Sequence, residues 1–190
     1  AGVQVPLISS FWLCKKKGKE TWVEPIIEDQ SYRFEVRRGK PENIDKVNSG
    51  TKIARGANFY CLITGSPISA EYIKAEGKAG RMGWKLMAIV AEGNKGRKYV
   101  SPNYTHEQIA LNIRPEWRPE LTLSTHPQYM SVTNYGPRIV GDLFMPRQNL
   151  ALNTFSKLID QVRLQILDDL HSSGWNDDGV SLEDGGQSST

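Results

Sequence analysis

The cleanest alternation of apolar and polar positions in this chain runs from Tyr32 to Arg37. Tyr32, Phe34 and Val36 share one side, and Arg33, Glu35 and Arg37 the other. A period of two predicts an antiparallel strand buried on one face. Leu7–Leu13 is an apolar run of strand length, and Thr21–Ile27 is a second candidate. Residues 39–50 are polar and contain Pro, Asn and Gly, which predicts a loop. Strand character resumes over Lys52–Ile63 and again over Trp84–Ala91. Arg97–Val100 is expected to pair back on that last strand across a turn at residues 92–96.

Near residue 101 the period changes. Thr105 and Gln108 have the spacing of a capping box, which predicts a short helix ending near Arg114 and Pro115. Residues 115–141 are rich in Pro, Thr, Ser, Tyr and Gly but keep apolar and aromatic positions, so an ordered, irregular crossing segment is expected. From Pro146 to Leu170, Ala151, Phe155, Leu158, Ile159, Val162, Ile166 and Leu167 fall on one helical stripe, with Pro146 suited to the first turn. Asp168 and Asp169 sit at the C-terminal end, where they oppose the helix dipole, so packing must hold this helix. The predicted fold is α+β. A β-rich region over 1–100 is followed by a short helix, an irregular segment and one long amphipathic helix over 101–170, then by a polar, acidic, Gly/Ser-rich tail or linker over 171–190.

Length and composition permit one domain with a real core: 190 residues, 38% of them hydrophobic. No apolar run approaches the ~20 residues that span a bilayer. The first positive charges follow the apolar stretch, the reverse of a secretory signal. The expectation is a cytoplasmic fragment or processed chain with no membrane partner. Residues 1–120 hold 20 Lys and Arg against 13 Asp and Glu, whereas residues 121–190 hold 4 against 8. A basic first part points toward a polyanion partner, although a solvated surface carries a similar excess.

The glycines at 77, 80 and 83 are interleaved with Lys78 and Arg81 and followed by Lys85. They fit neither G-x-x-x-x-G-K-[ST] nor G-x-G-x-x-G, so a nucleotide loop is not expected. Two readings stay open. One is a glycine-rich connection, where backbone must turn or pack closely. The other is a loop whose N–H groups and cations contact phosphates. Lys15, Lys16 and Lys17 follow Phe11 and Trp12, and a basic turn beside aromatics can grip a backbone and stack a base. A solubilising turn with the aromatics in the core is the plainer alternative. Cys61 and Thr64 occupy the two ligand positions of a C-x-x-C-G zinc knuckle, but Thr64 is no zinc ligand and Cys14 stands alone. Hydrolase, metalloprotease and Cys/His signatures are missing from the sequence, and no catalytic residue is expected in this chain.

Three strings, PLISSFWLCKKKGKETWVEPI, CLITGSPISAEYIKAEGKAGRMGWKLMAIVAEGNKGRKYVSP and NYGPRIVGDLFMPRQNLALNTFSKLIDQVR, resemble the middle region of the large prokaryotic adenine-specific DNA methylases described as containing a zinc ribbon. In that family the cofactor-binding motif lies upstream of this region and the DPPY-type catalytic motif downstream. The resemblance therefore implies a non-catalytic insert of an adenine-N6 DNA methyltransferase of DNA modification or phage defence. It also implies S-adenosylmethionine elsewhere in the parent polypeptide, and DNA and the rest of that polypeptide as partners. The ribbon's cysteine pairs are reduced here to Cys61, so no metal is expected. Met145 replaces a capping residue before the long helix, and Asp142 is expected to cap in its place. The residues expected to contact DNA are Lys15, Lys16, Lys17, Lys78, Arg81, Lys85, Arg97 and Lys98. The alternative is a structural module that docks on the methyltransferase core without touching DNA.

Overall fold

The computed structural model describes residues 3–94, 96–126, 130–174 and 179–180. The expected tail thus lies largely outside the described residues. The architecture is α+β, with small antiparallel sheets, two short helices between them and two further helices after them. Strands β1 (Trp12–Cys14), β2 (Thr21–Glu28) and β3 (Ser31–Arg38) form a three-stranded antiparallel sheet with β2 in the centre. The alternation seen in the sequence sets the register. Val23 lies opposite Val36, and Pro25 opposite Phe34. Tyr32 and Phe34 turn inward, their rings meeting edge to face at 5.3 Å. With Phe11, Val23 and Val47 they make the core, on which Ile8, Trp22, Leu62 and Met87 pack. The turn between β2 and β3 uses Asp29 at φ 51°, a left-handed position that Asp tolerates. The Val23 N–H points to β1 and donates to Phe11. The Pro25 nitrogen lies on the same side, beyond the last residue β1 pairs, so its missing N–H costs no ladder bond.

One helix appears where the sequence predicted loop, and a second runs into the spaced glycines, where no element was predicted. α1 (Ile44–Ser49) lies inside the 39–50 segment, capped by the Asn43 side chain, which accepts from the Lys46 N–H at 2.8 Å. Its one buried residue, Val47, completes the core, and its C-terminal turn holds the N-terminal segment. Phe11 N–H donates to the Val47 carbonyl, and Thr51 bonds Pro6 and Ile8. α2 (Ala70–Lys78), capped by Ser69, contains Gly77 within its last turn. Between α1 and α2 the expected strand over 52–63 shrinks to β4 (Phe59–Tyr60), paired with β5 (Pro67–Ile68). The strand expected from Trp84 starts only at Ile89. β6 (Ile89–Gly93) pairs with β7 (Gly96–Val100) in the hairpin the sequence predicted.

α3 (Tyr104–Leu111) is capped by Asn103, not Thr105. The Asn103 side chain accepts from His106 N–H at 2.9 Å, and His106 Nδ1 accepts from Asn103 N–H. The crossing segment is ordered by backbone bonds: Leu123 to Arg138, Val140 to Leu121 and Gly141 to Pro119. It contains two 3-10 turns, at Ser131–Tyr135 and Val140–Leu143. Asp142 does not cap the long helix. Its carboxylate accepts from the backbone N–H of Arg138 and Ile139, one turn earlier. Those two bonds, with nearby Arg118, hold the Asp142 carboxyl below its usual range against the effect of partial burial. The long helix α4 (Pro146–Ser172) starts instead with Gln148, whose side chain reaches back to the Met145 N–H at 2.8 Å. Half a capping box thus forms without a capping oxygen at Met145.

Candidate nucleic-acid interface

The eight cations expected on DNA occupy three places in the fold. The first is the turn between β1 and β2, closed by a Lys19 N–H bond to the Lys16 carbonyl at 2.9 Å. Lys15, Lys16 and Lys17 are exposed on it and make no ion pair with any described carboxylate. Lys15 lies 5.9 Å above the Trp12 ring and donates to Asn48 Oδ1 at 3.3 Å. The indole N–H of Trp12 takes the same oxygen at 2.9 Å. Trp12 is therefore held against α1 beneath Lys15, and Phe11 is in the core, so neither presents a stacking face. This packing favours the turn with packed aromatics over the base-stacking one, and the lysines are what the turn presents.

The second place is the end of α2, where the question raised by the spaced glycines is answered. Gly80 takes φ 70°, a left-handed position that ends the helix. The Arg81 N–H bonds the Glu76 carbonyl and the Gly80 N–H bonds the Gly77 carbonyl, a paired closure of the helix end. The same closure swings the Arg81 side chain onto the Glu76 carboxylate, with two bonds of 2.8 and 2.7 Å. Arg81's fork lowers the Glu76 carboxyl and is itself raised by it. Gly77 serves packing rather than turning. A side chain there would strike the Tyr135 carbonyl, and one at Gly136 would strike the Gly77 carbonyl. Two backbones cross in contact at this point. Lys78 remains exposed in the last turn of α2, where a cation suits the helix dipole.

The third place is residues 84–100. Lys85 folds back over the Tyr32 ring at 5.1 Å and lies 3.9 Å from Glu107. Burial first, then the nearby Glu107 carboxylate, pushes the Tyr32 hydroxyl up to about 12. Lys85 is thus engaged with the core. Arg97 and Lys98 are exposed on β7, opposite Glu92 and Ala91, and the Lys98 stem lies across Gly93. Tyr99 OH donates to the Leu13 carbonyl at 3.4 Å, which ties β7 to the strand leading into the Lys15–Lys17 turn. The fold therefore brings the lysine turn and the β6–β7 hairpin together as neighbours. No described hydrogen bond or ion pair links the α2 end to either.

Beside them is a cavity of about 240 Å³, walled by Leu13, Leu86, Met87, Val90 and Leu111, with Lys85, Glu107 and Arg147 at its polar part. Trp84, 57% exposed, lies on its border. Neither Trp84 nor Arg147 was expected in the site. An aromatic flanked by Arg81 and Lys85 is the signal that could have found Trp84. Glu107 is the one carboxylate lining the cavity, and Lys85 lies 3.9 Å from it.

Cys61 keeps the shape of half a zinc knuckle. Its sulfur accepts from the Thr64 N–H at 3.4 Å, and Gly65 follows at φ 72°. Burial raises this thiol, but hydrogen bonds from the Thr64 side chain and from the Thr64 and Ile63 backbone outweigh it and leave it lowered. Cys14 is unbonded and half-buried on β1. Among the described residues no three His, Cys, Asp or Glu converge as metal ligands, and no helix is long and apolar enough to cross a membrane. No protein-family model, curated protein or solved structure matches this chain.

Proposed function

We propose that this chain is a non-catalytic insert of an S-adenosylmethionine-dependent adenine-N6 DNA methyltransferase, and that it holds the DNA backbone while another part of the polypeptide acts on the base. The methyltransferase context rests on the three resembling strings. The observation that carries the DNA contact is the turn of Lys15, Lys16 and Lys17, exposed and free of any described carboxylate, on the strand that Tyr99 ties to the hairpin of Arg97 and Lys98. Cations free of carboxylates release condensed counterions when they meet phosphates. Cations already paired gain less, because the existing partner must first be given up. The eight expected residues therefore separate into Lys15, Lys16, Lys17, Lys78, Arg97 and Lys98, which are presented, and Arg81 and Lys85, which are engaged.

Anisotropy of labelled duplex DNA across a salt series tests this. The log K against log salt slope should shrink by roughly 2–3 when Lys15, Lys16 and Lys17 all become Ala. Lys85→Ala should leave the slope unchanged. Failure of the wild-type chain to bind at low salt would reject the DNA contact. The exposed apolar stripe of α4 favours a second reading, a docking module that packs on the methyltransferase core without touching DNA.

A further inference from the structure

Past its first turn, the bonds that α4 makes to the described body lie along one side. Asn149 is buried and donates to the Gly141 carbonyl, Asn153 donates to the Trp117 carbonyl at 2.7 Å, and Lys157 pairs with Glu116 at 2.7 Å. These three residues recur every fourth position on one face. From Thr154 to Ile166 every residue of the helix is exposed. Leu152, Phe155, Ile159, Val162 and Ile166 recur at alternating intervals of three and four, the a/d spacing of a coiled-coil seam. At 3.6 residues per turn their centre lies roughly 140° round the helix from the face that meets the body. Phe155 is 67% and Ile159 68% exposed. A straight seam of this kind fits another helix rather than a flat surface.

The charges on α4 say which helix. Its first half carries Arg147 and Lys157 and no acid before Asp160. Its second half carries Asp160, Asp168 and Asp169 against Arg163. Both halves oppose the dipole of the helix they belong to. Laid antiparallel on an identical helix, the same charges become favourable. Asp169 of one copy, roughly 60° from the centre of the seam, lies toward the positive N-terminal end of the other, near its Arg147, whereas Asp168 points away from the seam. A parallel pairing would set the aspartates of the two copies side by side.

We propose that two copies of this chain associate through α4, antiparallel, along the Leu152–Ile166 seam. The proposal stands independently of DNA binding. Sedimentation equilibrium of the whole chain over roughly 1–100 μM tests it. A dimer is expected, and Ile159→Asp should raise its dissociation constant at least ~10-fold. Both Ile159 and Phe155 are exposed, so their substitution leaves the core intact, which circular dichroism checks. Asp169→Asn should weaken the dimer roughly twofold or more, although it removes a charge that disfavours the helix itself. Helicity held or raised with weaker association is a pattern that simple loss of structure cannot produce. A wild-type chain that stays monomeric at the top concentration overturns the proposal. So does a dimer indifferent to both Ile159→Asp and Phe155→Asp, and tighter association on neutralising Asp169 overturns the antiparallel arrangement.

Discussion

Gly77→Ala should destabilise the chain by about 3 kcal/mol, where the same change in an ordinary helix would stabilise it by about 1 kcal/mol. The sign reverses because of what lies against the helix. A methyl group at Gly77 would stand 2.8 Å from the Tyr135 carbonyl carbon and closer still to its oxygen. Backbone, unlike the end of a flexible side chain, cannot swing away. The contact is mutual, since Gly136, at φ 110°, presents its own bare Cα to the Gly77 carbonyl. Relief would require α2 to lift from the 131–135 turn. The change is read as a shift in the urea midpoint at constant slope. A neutral or stabilising result would mean that these two backbones do not cross in contact. Gly80→Ala sets a useful comparison. Nothing crowds that position, and the cost there is only that of a left-handed backbone, about 1 kcal/mol.

Thr51→Val should cost about 2–3 kcal/mol. Thr51 is fully buried, and its hydroxyl donates to the Pro6 carbonyl at 2.7 Å while accepting from the Ile8 N–H at 3.0 Å. Valine fills nearly the same space, so no cavity forms. It leaves a part-buried donor and a buried acceptor unpaired, and that is where the cost arises. Thr51→Ser keeps both bonds and loses one methyl, about 1 kcal/mol. The order wild type, Ser, Val in denaturant midpoint is the expected result, and Val equal to Ser would discard the hydrogen-bond account. Hydrogen exchange gives a local readout, because the Ile8 amide should lose protection before the β2–β3 amides do.

What could be read from the sequence followed the range of the interactions concerned. The β2–β3 hairpin was legible because Tyr32 and Phe34 alternate with Arg33 and Glu35 over a few residues. α4 was legible because its stripe runs for several turns. α1 and α2 were not, because each buries a single apolar side chain, Val47 or Ile73, and shows no stripe. Their caps, Asn43 and Ser69, were the signals available. The glycine at 77 read as a loop residue because the backbone it accommodates lies at Tyr135, far along the chain. In the candidate site, charge was legible and pairing was not. Lys85 meets Tyr32 and Glu107 only after folding, and Arg81 meets Glu76 only once Gly80 has ended the helix. The cap expected from Asp142 failed because its carboxylate is taken up by the backbone N–H groups of Arg138 and Ile139.

β1 pairs with only the first residues of β2, and from Glu24 to Glu28 one edge of the central strand has no neighbour among the described residues. Such an edge invites another chain to add a strand and begin an aggregate. Here Pro25 removes the donor in its middle, and Glu24 and Glu28 charge it on either side. A second molecule finds no continuous ladder to extend. Concentrated solutions of this protein should therefore resist fibril formation through this sheet, and Pro25→Val is the single change that would reopen it.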